Sequence, residues 1–171
     1  MIAGLEIRAE RSGDEDAIRA IHDAAFGETD EGRIVDRQRA TSGHDARLSL
    51  VAEVDGAIVG HCLLSRCPVE GAGLEVLALG PIAVRPDRQG QGIGGSLVRA
   101  AVGEAERRGS PAVVLLGHPT YYPRFGFEPA RPLGLEAPAA WPDAAWMACR
   151  LSGWFGGVRG VVRYPEAFLP L

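Results

Sequence analysis

One stretch, residues 75–108, constrains the fold more than any other part of the chain. Glu75 to Val84 is nearly all apolar and reads as a central strand. Val84-Arg-Pro-Asp-Arg-Gln-Gly-Gln-Gly-Ile-Gly-Gly95 follows it. The pattern then predicts a helix over Gly92–Arg108, with Ile93, Leu97, Ala101 and Ala105 on one stripe. Glu104 and Arg108 are spaced to pair at i,i+4, and Gly109 stands where a helix C-cap belongs. A strand running through a tight turn into a helix commits the chain to a layered α/β architecture. The glycines fall where the first helical N–H groups have no internal partner and carry partial positive charge. This arrangement predicts a pyrophosphate cradle. Gly80-Pro81 interrupts the strand and predicts a bulge or a splayed ladder there.

The remaining elements build a mixed sheet around that stretch. Leu5, Ile7 and Ala9 alternate with Glu6, Arg8 and Glu10, a short first strand. Ser12-Gly-Asp-Glu15 is a capping-box pattern before a helix over Asp14–Phe26. Asp30–Ala40 is a mostly polar helix of surface or lid type, with Ile34 and Val35 on one side. Leu48 to Val54 and Ala57 to Leu64 are two strands joined by Asp55-Gly56, a type I′ hairpin signal. Ala112–Leu116 is a further strand, Thr120–Phe125 one or two helical turns, and Phe127 the start of another strand. Residues 128–144 read as a loop and Trp146–Leu151 as a late strand; the glycine-rich tail has no clear pattern. The expected fold class is α/β (α+β), a single domain over residues 1–171 with a mixed sheet of about six to seven strands and helices on both faces.

Composition narrows the partners. The formal net charge is −4 and the pI about 5.6, which disfavours nucleic acid and anionic membrane surfaces. All 18 basic residues are arginine, and glycine reaches 23 residues, about twice the roughly 7 % usual share. Cys62, Cys67 and Cys149 show no metal-ligand spacing and no disulfide framework, so no metal is expected. The N-terminus has no basic segment followed by an apolar run, and no stretch is long enough to span a membrane. The expected location is cytoplasmic.

Gly90-x-Gly92-x-x-Gly95 also fits the dinucleotide fingerprint of a nicotinamide-dependent oxidoreductase. Five residues separate those glycines from the strand, however, and the next strand ends Leu116-Gly117-His118 without an acid. No G-K-[ST] follows, so a P-loop is excluded. Gln89-x-x-Gly92-x-Gly94 resembles the [RQ]-x-x-G-x-[GA] signature of the GNAT superfamily of N-acetyltransferases. Tyr122-Pro-Arg-Phe-Gly126-Phe127 resembles the Y-x-x-x-G-F signature that closes that fold. The two motifs stand in family order, and the YhbS-type subgroup is the most similar. The core resemblance spans residues 5–129; residues 130–171 match more loosely.

The resemblance implies a sheet splayed between its fourth and fifth strands, with acetyl-CoA in the gap as cosubstrate. It implies that the pantetheine arm pairs with the backbone at Ile82, Ala83 and Val84. The pyrophosphate would lie on Gln89, Gly90, Gln91, Gly92, Ile93, Gly94 and Gly95, with Ser96 adding a hydroxyl and Arg85 and Arg88 positive charge. The Val84 N–H takes an oxyanion-hole role. Tyr122 is the implied general acid for the leaving thiolate, with Tyr121, Phe125 and Phe127 as packing aromatics. Many relatives place a glutamate on the central strand, where Ala78 stands here; Glu75, His61 and His118 are the candidate bases. The implied activity is acetylation of a primary amine, on a small molecule, peptide or protein, by direct attack in a ternary complex. Neither Cys62 nor Cys67 has surroundings that would lower a thiol pKa. A non-catalytic acyl-CoA-binding or regulatory module is the alternative, and a homodimer is the family analogy.

Overall fold

A computed structural model of the chain describes residues 2–27 and 30–170. The strands are β1 (Leu5–Ala9), β2 (Ser49–Val54), β3 (Ala57–Val69), β4 (Leu74–Val84), β5 (Ala112–Leu116), β6 (Glu128–Pro129), β7 (Leu135–Glu136), β8 (Trp146–Arg150) and β9 (Gly160–Val161). The helices are α1 (Glu15–Phe26), α2 (Asp30–Arg39) and α3 (Ile93–Arg107). A seven-stranded sheet has the hydrogen-bonded order β1-β2-β3-β4-β5-β8-β6, and β7 and β9 form a small parallel pair. The chain divides into two compact units, residues 1–64 with 80–101, and residues 65–79 with 102–171.

In the first unit the β2–β3 hairpin turns as its sequence requires. Asp55 and Gly56 both take positive φ, 50° and 81°, and Val54 pairs with Ala57. Side chains on β3 then alternate between faces. Leu63 joins Ile18 of α1, Val35 of α2 and Val51 in one buried cluster. Gly60 faces the other way: an added Cβ would lie 3.1 Å from Leu97 and 3.2 Å from Ile93 of α3. Helices therefore cover both faces of this strand. α2, read from its polarity as a surface helix, buries Gly32 and Val35 against the unit, exposes Asp30, Arg33 and Arg37, and leaves the rest half-buried.

The start of α1 departs from the expected capping box. Asp14, not Ser12, is the N-cap residue, and its side chain does not cap the helix. The Arg8 guanidinium draws it away, bonding Asp14 at 2.7 Å and Glu53 at 2.9 Å. That contact holds the Asp14 carboxyl below the usual carboxylate range. Glu15 accepts instead from the Gly13 N–H at 2.7 Å.

In the second unit β4 and β5 run parallel, but their registered pairs are only Leu77↔Val113 and Ala78↔Val114. The splay expected near Gly80-Pro81 is present: from Gly80 onward β4 continues without registered β5 partners. Beyond β5 the antiparallel β8 pairs with all five β5 residues, from Ala112↔Arg150 to Leu116↔Trp146. The core here gathers Val76, Ala78, Val114, Leu135, Trp146, Ala148 and Val162. Trp146 is fully buried and donates its indole N–H to the Leu135 carbonyl at 2.8 Å. The tail, unreadable in sequence, packs Tyr164 and Trp154 against this core and adds β9. Gly160 permits that approach, since a Cβ there would lie 2.1 Å from the Glu70 carbonyl oxygen. Among the described residues no helix is long and apolar enough to cross a membrane.

Candidate active site

The glycine loop opens where β4 ends. Arg85 donates its N–H to the Val59 carbonyl at 2.8 Å, tying that end to β3. Pro86–Arg88 form a 3-10 turn whose Gln89 N–H bonds the Pro86 carbonyl at 3.4 Å. The Gln89 side chain folds back and donates to the Val84 carbonyl at 3.0 Å. The motif glutamine thus acts locally as a clamp, closing the loop on the last residue of the strand. Because the Gln89 N–H is used inside the turn, the run of open donors begins one residue later than expected.

The N–H groups of Gly90 to Gly95 have no acceptor among the described residues. Gly90 and Gly92 take φ of 74° and 88°, and a Cβ at either would meet no protein atom within 4 Å. The bare backbone there serves no internal packing; it faces open space with donors at the N-terminus of α3. These features fit the diphosphate end of a coenzyme A molecule. Ser96 spends its hydroxyl hydrogen on the Gly92 carbonyl at 3.2 Å, stiffening the loop. Arg85 is held by Asp87 at 2.6 and 2.9 Å, whereas Arg88 has no side-chain partner among the described residues. On β4, Ala83 is buried and Ile82 and Val84 are half-buried.

Tyr122 begins a 3-10 turn, Tyr122–Phe125, that ends at Gly126 in the left-handed conformation (φ 90°, ψ 10°). Its half-buried ring stands edge-on to Tyr121, with centroids 5.0 Å apart, and to Phe127 at 5.8 Å. The backbone N–H groups of Tyr121 and Tyr122 both donate to the His118 carbonyl, at 3.1 and 3.4 Å. The His118 side chain is exposed. Glu75, near the start of β4, is exposed and paired with Arg66 at 3.1 Å, beside a cleft of about 160 Å³ that Arg108 also lines.

His61 is wholly buried, and both its ring nitrogens are engaged. It belongs to a chain of five residues on four elements, with Glu10 just past the end of β1, and the chain has a forced direction. Arg39 of α2 bonds Glu10 at 2.6 Å, so Glu10 is a carboxylate that only accepts. Ser49 has one hydroxyl hydrogen and donates it to Glu10. The His61 Nε2–H must then donate to Ser49, at 2.7 Å, leaving Nδ1 as an acceptor. His22 of α1 fills that acceptor from its own Nε2–H at 2.8 Å, and its Nδ1 is buried without a partner. Burial pushes the His22 imidazole down to about 4, and burial together with neighbouring His22 and Arg39 pushes His61 well below its ordinary value. His22 carries no sequence signal beyond a polar residue on an apolar helix face. The Gln89 clamp likewise needs the fold to be seen.

The family model for the acetyltransferase (GNAT) domain matches residues 6–130, and the chain belongs to that family of N-acetyltransferases. It is 39 % identical over 140 residues to YjhQ of Escherichia coli K12, named as an uncharacterized N-acetyltransferase, covering 78 % of this chain and 77 % of that one. It is 34 % identical over 172 residues to YhbS of the same strain, likewise named, covering 95 % and 97 %. The crystal structure of E. coli YhbS in complex with CoA superposes with a TM-score of 0.89 at 32 % identity, covering 98 % of this chain and 93 % of that one. A GNAT family acetyltransferase from Brucella melitensis in complex with acetyl-CoA gives 0.77 at 35 % identity, covering 96 % and 97 %.

Proposed function

We propose that this chain, acting as one acetyltransferase domain, transfers the acetyl group of acetyl-CoA to a primary amine of an external acceptor. The observation that carries this reading is the run of unbonded N–H groups from Gly90 to Gly95, bare of side chains at Gly90 and Gly92. Those donors hold the pyrophosphate, with Arg88 adding charge, and the β4 backbone at Ile82, Ala83 and Val84 aligns the pantetheine arm. Acetyl-CoA supplies an activated acetyl thioester. The Val84 N–H donates toward its carbonyl oxygen, and the Tyr122 hydroxyl gives a proton to the departing sulfur.

Of the three candidate bases, Glu75 is tied to Arg66 and His61 is sealed inside its hydrogen-bonded chain. We therefore assign the amine proton to His118, whose imidazole is exposed and has no partner among the described residues. Direct transfer is favoured over an acetyl-cysteine route. Cys62, Cys67 and Cys149 are all buried, and burial pushes the first two thiols up to about 12, far from the thiolate a nucleophile needs. The chain contains no lysine, so any lysine acceptor belongs to another molecule, and an acceptor within this chain could only be its α-amino group.

The test is thiol release from acetyl-CoA across a panel of small amines, amino acids and peptides. Tyr122→Phe is expected to lower kcat by about 10²-fold with the KM for acetyl-CoA little changed. His118→Ala is expected to lower kcat/KM by about 10²-fold. Tight CoA binding without turnover on any amine, and no effect of Tyr122→Phe, overturns the enzyme reading in favour of a CoA-binding module.

A further inference from the structure

We infer that Gly117 is a positioning residue for Tyr122: its missing side chain is the seat that sets where the Tyr122 ring lies. This rests on the assignment of Tyr122 as the general acid. Gly117 follows the last residue of β5 and does not take a positive φ, so its backbone conformation does not demand glycine. The requirement is space. An added Cβ would lie 2.3 Å from Tyr122 Cε2, 2.8 Å from Cδ2 and 3.1 Å from Leu115 Cδ1. The first two distances are shorter than any real contact, and none of the parties can yield cheaply.

Gly117 itself is pinned, its N–H donating to the Ala145 carbonyl at 2.9 Å. Leu115 is buried. The tyrosine ring is rigid, and Tyr121, Phe125 and Phe127 hold it at centroid distances of 5.0, 6.5 and 5.8 Å. The next residue, His118, holds the Tyr122 backbone through its carbonyl. Two consecutive residues thus fix the acid, one by its main chain and one by the absence of a side chain. The ring is only half-buried, so the bare Cα is not there to complete a sealed core. It sets the orientation of that side chain. A methyl group at this point would drive the ring back by about 1 Å before ordinary contact is restored, a displacement that can cost about 10²-fold in a positioned reaction.

Gly117→Ala, Tyr122→Phe and the double variant test this, with kcat, the KM for acetyl-CoA and the melting temperature measured on each. Gly117→Ala is expected to lower kcat by about 10- to 100-fold with KM for acetyl-CoA within about twofold of wild type. Placed on Tyr122→Phe, it is expected to change kcat by less than about twofold, while its melting shift is the same in both backgrounds. Should Gly117→Ala fail to fold, Phe127→Leu loosens another contact of the ring and is expected to show the same background dependence. An unchanged kcat in the single variant, or a full loss that persists when Tyr122→Phe is already present, overturns the inference while leaving the acid assignment standing. Wild-type kcat in Tyr122→Phe alone overturns the acid assignment, and the positioning role with it.

Discussion

Lowering the pH should destabilise this protein through one buried imidazole, and the size of the effect follows from its surroundings. The His22 ring donates from Nε2 to His61, stacks on Phe26 with centroids 6.0 Å apart, and has no partner for Nδ1. Protonation would place a charged N–H in a dry site. Burial accordingly lowers its pKa from 6.5 to about 4, against a smaller upward pull from Asp23. Below pH 6.5 the unfolded chain takes up a proton at this residue that the folded chain refuses. The stabilisation is therefore complete above 6.5, declines as the pH falls, and is lost by about 4. At 1.36 kcal/mol per unit the shift is worth about 3 kcal/mol, a large fraction of the 5–15 kcal/mol typical of a domain. His61 pushes in the same direction. The assay is urea unfolding between about pH 7.5 and 4.5 for wild type and His22→Leu. Carboxylates held low by arginine, such as Asp14 and Asp87, contribute the same acid slope to both proteins. The difference between the curves isolates the imidazole and should approach about 2–3 kcal/mol at the acid end. Parallel curves would refute the reasoning. So would ¹⁵N spectra showing either histidine protonated at Nδ1 rather than Nε2 at neutral pH.

Two further outcomes follow from the same geometry. Ser49→Ala removes the hydroxyl that joins Glu10 to His61, and chemical denaturation should show a loss of about 1–3 kcal/mol as two buried polar groups lose a partner. Gly92→Ala places a Cβ at φ 88° in the open face of the cradle. Backbone strain should cost about 1–2 kcal/mol, and titration calorimetry should show CoA affinity falling by about tenfold or more, with kcat at saturation much less affected.

Much of the frame was legible because its signals are local. The Asp55-Gly56 turn, the α3 stripe with its Glu104–Arg108 pair at 2.7 Å, and the glycine loop each depend on neighbours within a few residues. The capping box at Ser12 misled for the opposite reason. It is a local pattern, but the Arg8 guanidinium on β1, which also bonds Glu53 of β2, takes up the Asp14 carboxylate. The tail was unreadable because β7 and β9 are two residues each and pair across 25 positions, Leu135 with Gly160. No short-range periodicity records such a contact.

The sequence alone determined the loop: four glycines in six residues, a proline turn before them and a helix after them leave bare backbone donors at a helix N-terminus, where we propose the phosphates bind. The second motif, through its resemblance to the family signature, singled out Tyr122 as the candidate acid. Only the tertiary structure showed the surroundings of the three candidate bases. Spacing says nothing of whether a carboxylate meets an arginine or an imidazole is sealed from water. Glu75 finds Arg66 nine residues away, and His61 finds Ser49 and His22 at separations of 12 and 39. The same is true of Gly117, whose role is set by the tyrosine ring that folds onto it. Hydrogen bonds and steric contacts act at about 3 Å in space regardless of distance along the chain, so the chemistry they select appears only once the strands and helices have packed.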